Sequence, residues 1–168
     1  MRNSELGTRN SELVDLETTA ALGKSLGQLL FPGAVIALIG PLGAGKTTFT
    51  RAVTEGLGVK NIAAVNLPTF TLIHEYAARL PIYHFDAYRL AKPEEFEGLG
   101  IDEYFGGEGV CLVEWADKFL ELLPEERLEI RIERVSETGR RWKVNGIGER
   151  YEKLLLKWTG EPTVSTVG

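Results

Sequence analysis

Apolar residues along this 168-residue chain recur in two rhythms, and the rhythm changes at glycine and proline. Val35-Ile36-Ala37-Leu38-Ile39 is an uninterrupted apolar run rich in β-branched residues, the pattern of a strand buried on both faces. Before it, residues 16–30 carry apolar positions at 22, 26, 29 and 30, which suits a first helix, and Pro32-Gly33 turns the chain. After it, Phe49, Ala52, Val53 and Leu57 share one side of a helix that starts at Lys46 and is closed by Gly56 and Gly58. Residues 61–71 form a connection containing Pro68. Residues 70–76 read as a strand of mixed alternation, and Ile82-Tyr83-His84-Phe85-Asp86 reads as another. Pro93 marks a helix start with Glu94 and Glu95 suited to its first turn. Residues 106–109 turn into the strand Val110-Cys111-Leu112-Val113, which delivers Glu114-Trp115. Residues 128–134 and 141–147 predict the arms of a hairpin around Glu137-Thr138-Gly139, and residues 151–158 an amphipathic helix. Strands alternating with helices predict an α/β fold of three layers, with a mostly parallel central sheet and an antiparallel edge hairpin.

The ends of the chain are expected to lie outside that domain. Arg2-Asn3-Ser4-Glu5-Leu6 is repeated as Arg9-Asn10-Ser11-Glu12-Leu13, a polar tandem that reads as a flexible extension over residues 1–14. A single domain follows over 15–158, and residues 159–168 read as a disordered tail. A 43% hydrophobic, 26% charged composition is ordinary for a globular protein. The net charge of −5 argues against a wrapped nucleic-acid interface, which needs a basic field, so any service to RNA is expected to run through partners. The single cysteine, Cys111, sits inside an apolar run and reads as a small buried hydrophobe, not a reactive thiol. With neither a signal peptide nor a membrane-spanning apolar stretch in view, the cytoplasm is the expected location.

The chemistry starts at Gly40-Pro41-Leu42-Gly43-Ala44-Gly45-Lys46-Thr47, which matches the phosphate-binding pattern G-x-x-x-x-G-K-S/T between a buried strand and a helix N-terminus. That setting predicts a P-loop NTPase fold. Glycines let the backbone N–H groups around Gly43, Ala44 and Gly45 turn toward a polyphosphate, and the open helix end adds positive potential. Lys46 would reach the β- and γ-phosphates, and Thr47 would put its hydroxyl on Mg²⁺. Such a site needs a carboxylate, and open α/β sheets carry these at the carboxyl ends of strands. Glu114 and Asp86 both qualify; one would help bind the metal while the other orients a water, and spacing does not divide the roles. His84 shares strand parity with Asp86, yet a core histidine satisfied by a neighbour is the expected reading over a proton-shuttling pair. Thr69, in the loop after Pro68, is a candidate for the switch hydroxyl that meets the ion or γ-phosphate. Arg140 and Arg141 would contact a nucleotide or guard a solvated sheet edge. Trp115 would stack on a base, anchor a partner or fill the core. No Asn-Lys-x-Asp stretch is present to read guanine, which favours ATP.

These segments together resemble the TsaE (YjeE) family, P-loop ATPases of bacterial tRNA threonylcarbamoyladenosine synthesis. The resemblance rests on the octet extended through Thr48-Phe49, Leu67-Pro68-Thr69-Phe70-Thr71-Leu72, Tyr83-His84-Phe85-Asp86-Ala87-Tyr88-Arg89-Leu90, Gly100-Ile101-Asp102-Glu103-Tyr104-Phe105 and Cys111-Leu112-Val113-Glu114-Trp115. It implies a weak Mg²⁺-dependent ATPase that supports a TsaB–TsaD pair, meets tRNA only through that complex and needs no membrane. By position, it implies that Lys46, Thr47 and Thr48 hold phosphates and metal. Glu114 matches the metal carboxylate and Asp86 an acid important for hydrolysis. Thr69 falls in a switch-like Ser-Pro-Thr segment, and Trp115 and Arg140 lie near the nucleotide. Leu67 stands where the family has that serine, which removes one hydroxyl and leaves that of Thr69. The competing readings are a P-loop small-molecule kinase, which the acidic segment after Pro93 suits poorly as a phosphate lid, and a nucleotide-gated binding module with incidental ATPase activity.

Overall fold

A computed structural model describes residues 8–11, 16–40, 46–66, 72–137 and 139–159. In chain order the elements are β1 (Thr8–Ser11), α1 (Leu16–Leu29), β2 (Val35–Ile39), α2 (Lys46–Gly56), β3 (Ile73–Tyr76), β4 (Ile82–Asp86), α3 (Pro93–Glu97), α4 (Ile101–Phe105), β5 (Val110–Glu114), β6 (Arg127–Arg134), β7 (Arg140–Ile147) and α5 (Glu149–Thr159). The strands form one sheet in the order β1-β7-β6-β2-β5-β4-β3. Four of them, β4, β5, β2 and β6, run parallel at its centre. The hairpin β6–β7 makes the expected antiparallel edge, and β3 adds a second one against β4.

Part of the expected N-terminal extension joins the sheet. Thr8–Ser11 runs antiparallel to β7, from Thr8 opposite Asn145 to Ser11 opposite Trp142. The outer edge of β7 offers a row of backbone donors and acceptors that a strand satisfies. A polar tetrapeptide without alternation carries no mark of that pairing.

Alternation along β2 sorts its side chains to two cores. Ile36 and Leu38 pack with Leu112, Leu128 and Ile130 against Leu26 of α1, Phe49 and Val53 of α2, and Leu155 of α5. Val35, Ala37 and Ile39 pack on the other face with Phe85 and Val113 against Phe96 of α3, Ile101 of α4 and Phe119. The result is three layers, with each fully buried Leu, Ile or Phe contributing about 1.5–3 kcal/mol of transfer free energy. The Tyr151 hydroxyl of α5 accepts the Val35 N–H at 2.9 Å, tying that helix to the start of β2. Among the described residues no helix is long and apolar enough to cross a membrane.

The helix that follows the octet is seated by glycine. A Cβ on Gly27 of α1 would stand 2.3 Å from the Val53 carbonyl oxygen, and one on Gly56 of α2 would stand 2.1 Å from the Lys24 carbonyl oxygen. The two helices therefore meet backbone to backbone. Arg79 closes the end of α1, donating from Nη2 to the carbonyls of Gly27 and Leu30 at 2.9 and 3.2 Å. Gly56 thus does more than end its helix.

Two outcomes are expected. Gly27→Ala should lower unfolding free energy by about 1–3 kcal/mol through overpacking, despite the roughly 1 kcal/mol that alanine gains in helix propensity; urea unfolding with unchanged or raised stability would contradict the close contact. Cys111 is buried, and burial pushes its thiol up to about 12 from an ordinary value near 9. A raised folded value means its contribution to stability is complete below pH 9 and is lost as pH climbs from 9 to 12. A thiol-labelling reagent at neutral pH should modify Cys111 only after denaturant is added, and labelling at the rate of a free thiol in the native protein would refute this burial.

Candidate functional site

The carboxyl ends of three neighbouring parallel strands converge beside the start of α2. Gly40 follows β2. Glu114, the last residue of β5, is opposite Leu38 of β2 on one side and Asp86 of β4 on the other. This is the end of the sheet at which open α/β folds gather ligands. Lys46 and Thr47 open α2, and Thr48 follows them, half-buried. Gly43, Ala44 and Gly45 lie outside the described residues, as do Leu67, Pro68 and Thr69.

Glu114 is buried, so its side chain needs polar company. It receives that company from two elements. Thr50, one turn beyond Lys46 on α2, donates its hydroxyl to Oε2 at 3.3 Å. His84 Nε2 meets the same oxygen at 2.6 Å. The parity of β5 aims Glu114 toward the face that α2 covers, the face shared with Leu112. The parity of β4 sends His84 there too. His74 of β3 is the register partner of His84, and the two rings stand 5.6 Å apart between centroids. Burial first, and then the Glu114 charge, raise the Tyr76 phenol above its ordinary value.

His84 finds a polar neighbour through Nε2, Glu114, while its Nδ1 is buried and has no hydrogen-bond partner among the described residues. Asp86 turns instead to its own loop. Its Oδ1 accepts the Tyr88 N–H at 3.1 Å and caps the 3₁₀ turn Ala87–Arg89. The pairing of His84 with Glu114 has a trace in the sequence, since both residues have the parity that points to one face. What the sequence does not state is that β4 and β5 are adjacent in the sheet.

Trp115 has the only positive φ among the described non-glycine residues, 62°. A left-handed tryptophan costs energy that its surroundings must hold in place. Its ring packs on Tyr88, 4.8 Å between centroids. Lys118 then bridges the two loops, donating to the Tyr88 and Leu90 carbonyls at 2.9 and 2.6 Å. Trp115 also lines a hollow of about 360 Å³ with Ile39, Gly40, Asp117 and Arg131. It is half-buried, so its ring serves both the loop packing and the rim of the site.

Arg140 is buried at the start of β7. Its Nη1 donates to the carbonyls of Ser136, Glu137 and Gly139 at 3.2, 3.4 and 3.0 Å. These bonds close the turn between β6 and β7. Arg141, exposed, stands 3.7 Å from Glu133 across the hairpin.

Comparison with known proteins gives one consistent result. Residues 13–142 match the family model described as "Threonylcarbamoyl adenosine biosynthesis protein TsaE". The tRNA threonylcarbamoyladenosine biosynthesis protein TsaE of Bacillus subtilis is 51% identical over 153 residues, 90% of this chain and 94% of that protein. Its counterpart in Treponema pallidum is 42% identical over 125 residues, 74% of this chain and 90% of that one. A crystal structure of Bacillus subtilis YdiB superposes with a TM-score of 0.74 at 41% identity, covering 90% of this chain and 93% of the other.

The bonds of Arg140 generate a prediction that separates two roles. Arg140→Ala strips donors from turn carbonyls and should cost about 1–3 kcal/mol in urea unfolding. Undiminished stability together with a large loss of nucleotide affinity would make Arg140 a ligand contact instead of a turn clamp.

Proposed function

The chain belongs to the TsaE family, and we propose that it is a P-loop ATPase that supports a TsaB–TsaD pair in forming threonylcarbamoyladenosine in tRNA. One observation carries the reading: Glu114, at the end of the strand beside β2, is held against α2 by the Thr50 hydroxyl. A buried carboxylate facing the first turns of the helix that follows a G-x-x-x-x-G-K-T octet is the arrangement a nucleotide-bound Mg²⁺ requires. The donors fit that ion. Mg²⁺ takes oxygen ligands and is held by one or two carboxylates together with hydroxyl, water and phosphate oxygens. When bound, the ion neutralises charge on the β- and γ-phosphates.

The residues then divide the work. Gly43, Ala44 and Gly45 would offer backbone N–H groups to phosphate, and Lys46 would supply the positive charge for the β- and γ-oxygens. Thr47 and Glu114 would hold the ion, with Thr48 next in sequence on α2. Asp86 is opposite Glu114 in register, so a second carboxylate stands on the next strand to orient a water and accept its proton. Thr69 senses the γ-phosphate, and Trp115, at the rim next to Gly40, borders the nucleotide. Arg140 supports the nearby hairpin and, through it, the nucleotide side of the site. The net charge of −5 suits a subunit that meets tRNA through partners in the cytoplasm and not by its own field.

The test is multi-turnover threonylcarbamoyl transfer to tRNA by a TsaB–TsaD pair supplied with threonylcarbamoyl-adenylate. Turnover should depend on this protein and Mg-ATP. Lys46→Ala should lower both turnover and ATP hydrolysis by about tenfold or more, equivalent to about 1.4 kcal/mol of barrier. Turnover indifferent to this protein would overturn the reading, and phosphate transfer to a small hydroxyl compound would replace it with a kinase.

A further inference from the structure

We infer that His84 is a positioning residue: its Nε2–H locks the Glu114 carboxylate in the orientation that serves the ion, while its own ring touches neither ion nor nucleotide. The inference rests on the reading of Glu114 as the metal carboxylate. It arises from a feature that the proposed machinery leaves unexplained, an imidazole packed against that carboxylate from a neighbouring strand.

The geometry is specific. His84 Nε2 and Thr50 Oγ1 approach the same oxygen, Oε2, at 2.6 and 3.3 Å. One donor comes from the sheet and the other from α2, so the carboxylate is fixed between two elements that cannot move together by a simple side-chain rotation. The 2.6 Å separation is short for a nitrogen donor and an ionised acceptor. A glutamate otherwise has several rotatable bonds and would sample orientations that miss the ion. The ring is itself held, with the His74 ring 5.6 Å away on the adjacent strand. Its other nitrogen, Nδ1, is buried and has no hydrogen-bond partner among the described residues. An imidazole serving only to fill a core would have both nitrogens satisfied or be replaced by an apolar side chain. Here the cost of an unpaired Nδ1 is borne while Nε2 is spent on Glu114. Outer-layer donors of this kind commonly set the affinity of a metal site by orienting its ligands.

The experiment measures Mn²⁺ binding to the protein with ADP, read from the electron paramagnetic resonance signal of free Mn²⁺. Binding of a fluorescent nucleotide without metal is measured in parallel. His84→Ala should weaken Mn²⁺ by about 10–100-fold and leave metal-free nucleotide affinity unchanged. His84→Gln retains an amide N–H at the reach of Nε2 and should recover most of the loss, while the shorter His84→Asn should not. Adding His84→Ala to Glu114→Gln should bring no further loss beyond Glu114→Gln alone. Wild-type Mn²⁺ affinity in His84→Ala, with Glu114→Gln impaired, would overturn the positioning role. Wild-type affinity in Glu114→Gln would instead remove the metal reading of Glu114 beneath it. If His84→Ala fails to fold, the glutamine and asparagine variants decide the matter: equal affinities in the two contradict the inference.

Discussion

A carboxylate buried at the end of a strand is costly unless polar groups meet it, and much of this molecule is arranged around meeting Glu114. β5 delivers the side chain between β2 and β4. β4 answers with His84 and α2 with Thr50. Each answer depends on packing elsewhere. Thr50 reaches Glu114 only because α2 lies close over the sheet, and α2 is seated against α1 through Gly27 and Gly56, where no side chain would fit. β4 is itself flanked by β3, whose His74 stands beside His84. The helix that follows the G-x-x-x-x-G-K-T octet and the Glu114 carboxylate are thus parts of one packed unit.

The two faces of the sheet contribute differently. The face covered by α1, α2 and α5 holds Glu114, His84 and Thr50. The other face is built on Phe85, Phe96 and Phe119, with Phe96 and Phe119 stacked 5.3 Å apart. It carries the loops after β4 and β5, joined by Tyr88, Trp115 and Lys118. These loops bring Asp86 and the left-handed Trp115 to the rim. The strand ends are thus flanked by helix-backed packing on one face and by two cross-linked loops on the other.

Legibility in the sequence followed the range of the interactions. Val35–Ile39 and residues 110–113 of β5 are apolar throughout because both of their faces are buried, and Arg127–Arg134 and Arg140–Ile147 show their turn between them. The octet is a local pattern and needs no tertiary knowledge. The seating of α1 on α2 is different: Gly56 reads in the sequence as the end of its helix and Gly27 carries no signal, and only the partner backbone standing against them shows why they are glycines. The partner of His84 depends on strand order, which parity alone does not reveal, so the sequence offers Asp86 beside it and does not offer Glu114. The strand at Thr8–Ser11 has no pattern because its pairing is made by backbone atoms. Lys46, Thr47 and the glycines before them form a pattern that the sequence shows locally, and the loop that carries the glycines lies outside the described residues.

The measurement that tests the central claim most directly is paramagnetic broadening of the protein's NMR signals by Mn²⁺ and a non-hydrolysable ATP analogue. The account predicts broadening centred on Gly40, Thr48, Thr50, Asp86 and Glu114, with residues around the acidic hollow of Glu97, Asp102, Glu103 and Glu121 left sharp. Broadening centred on that hollow, or spread without a focus while Glu114 stays sharp, would contradict it.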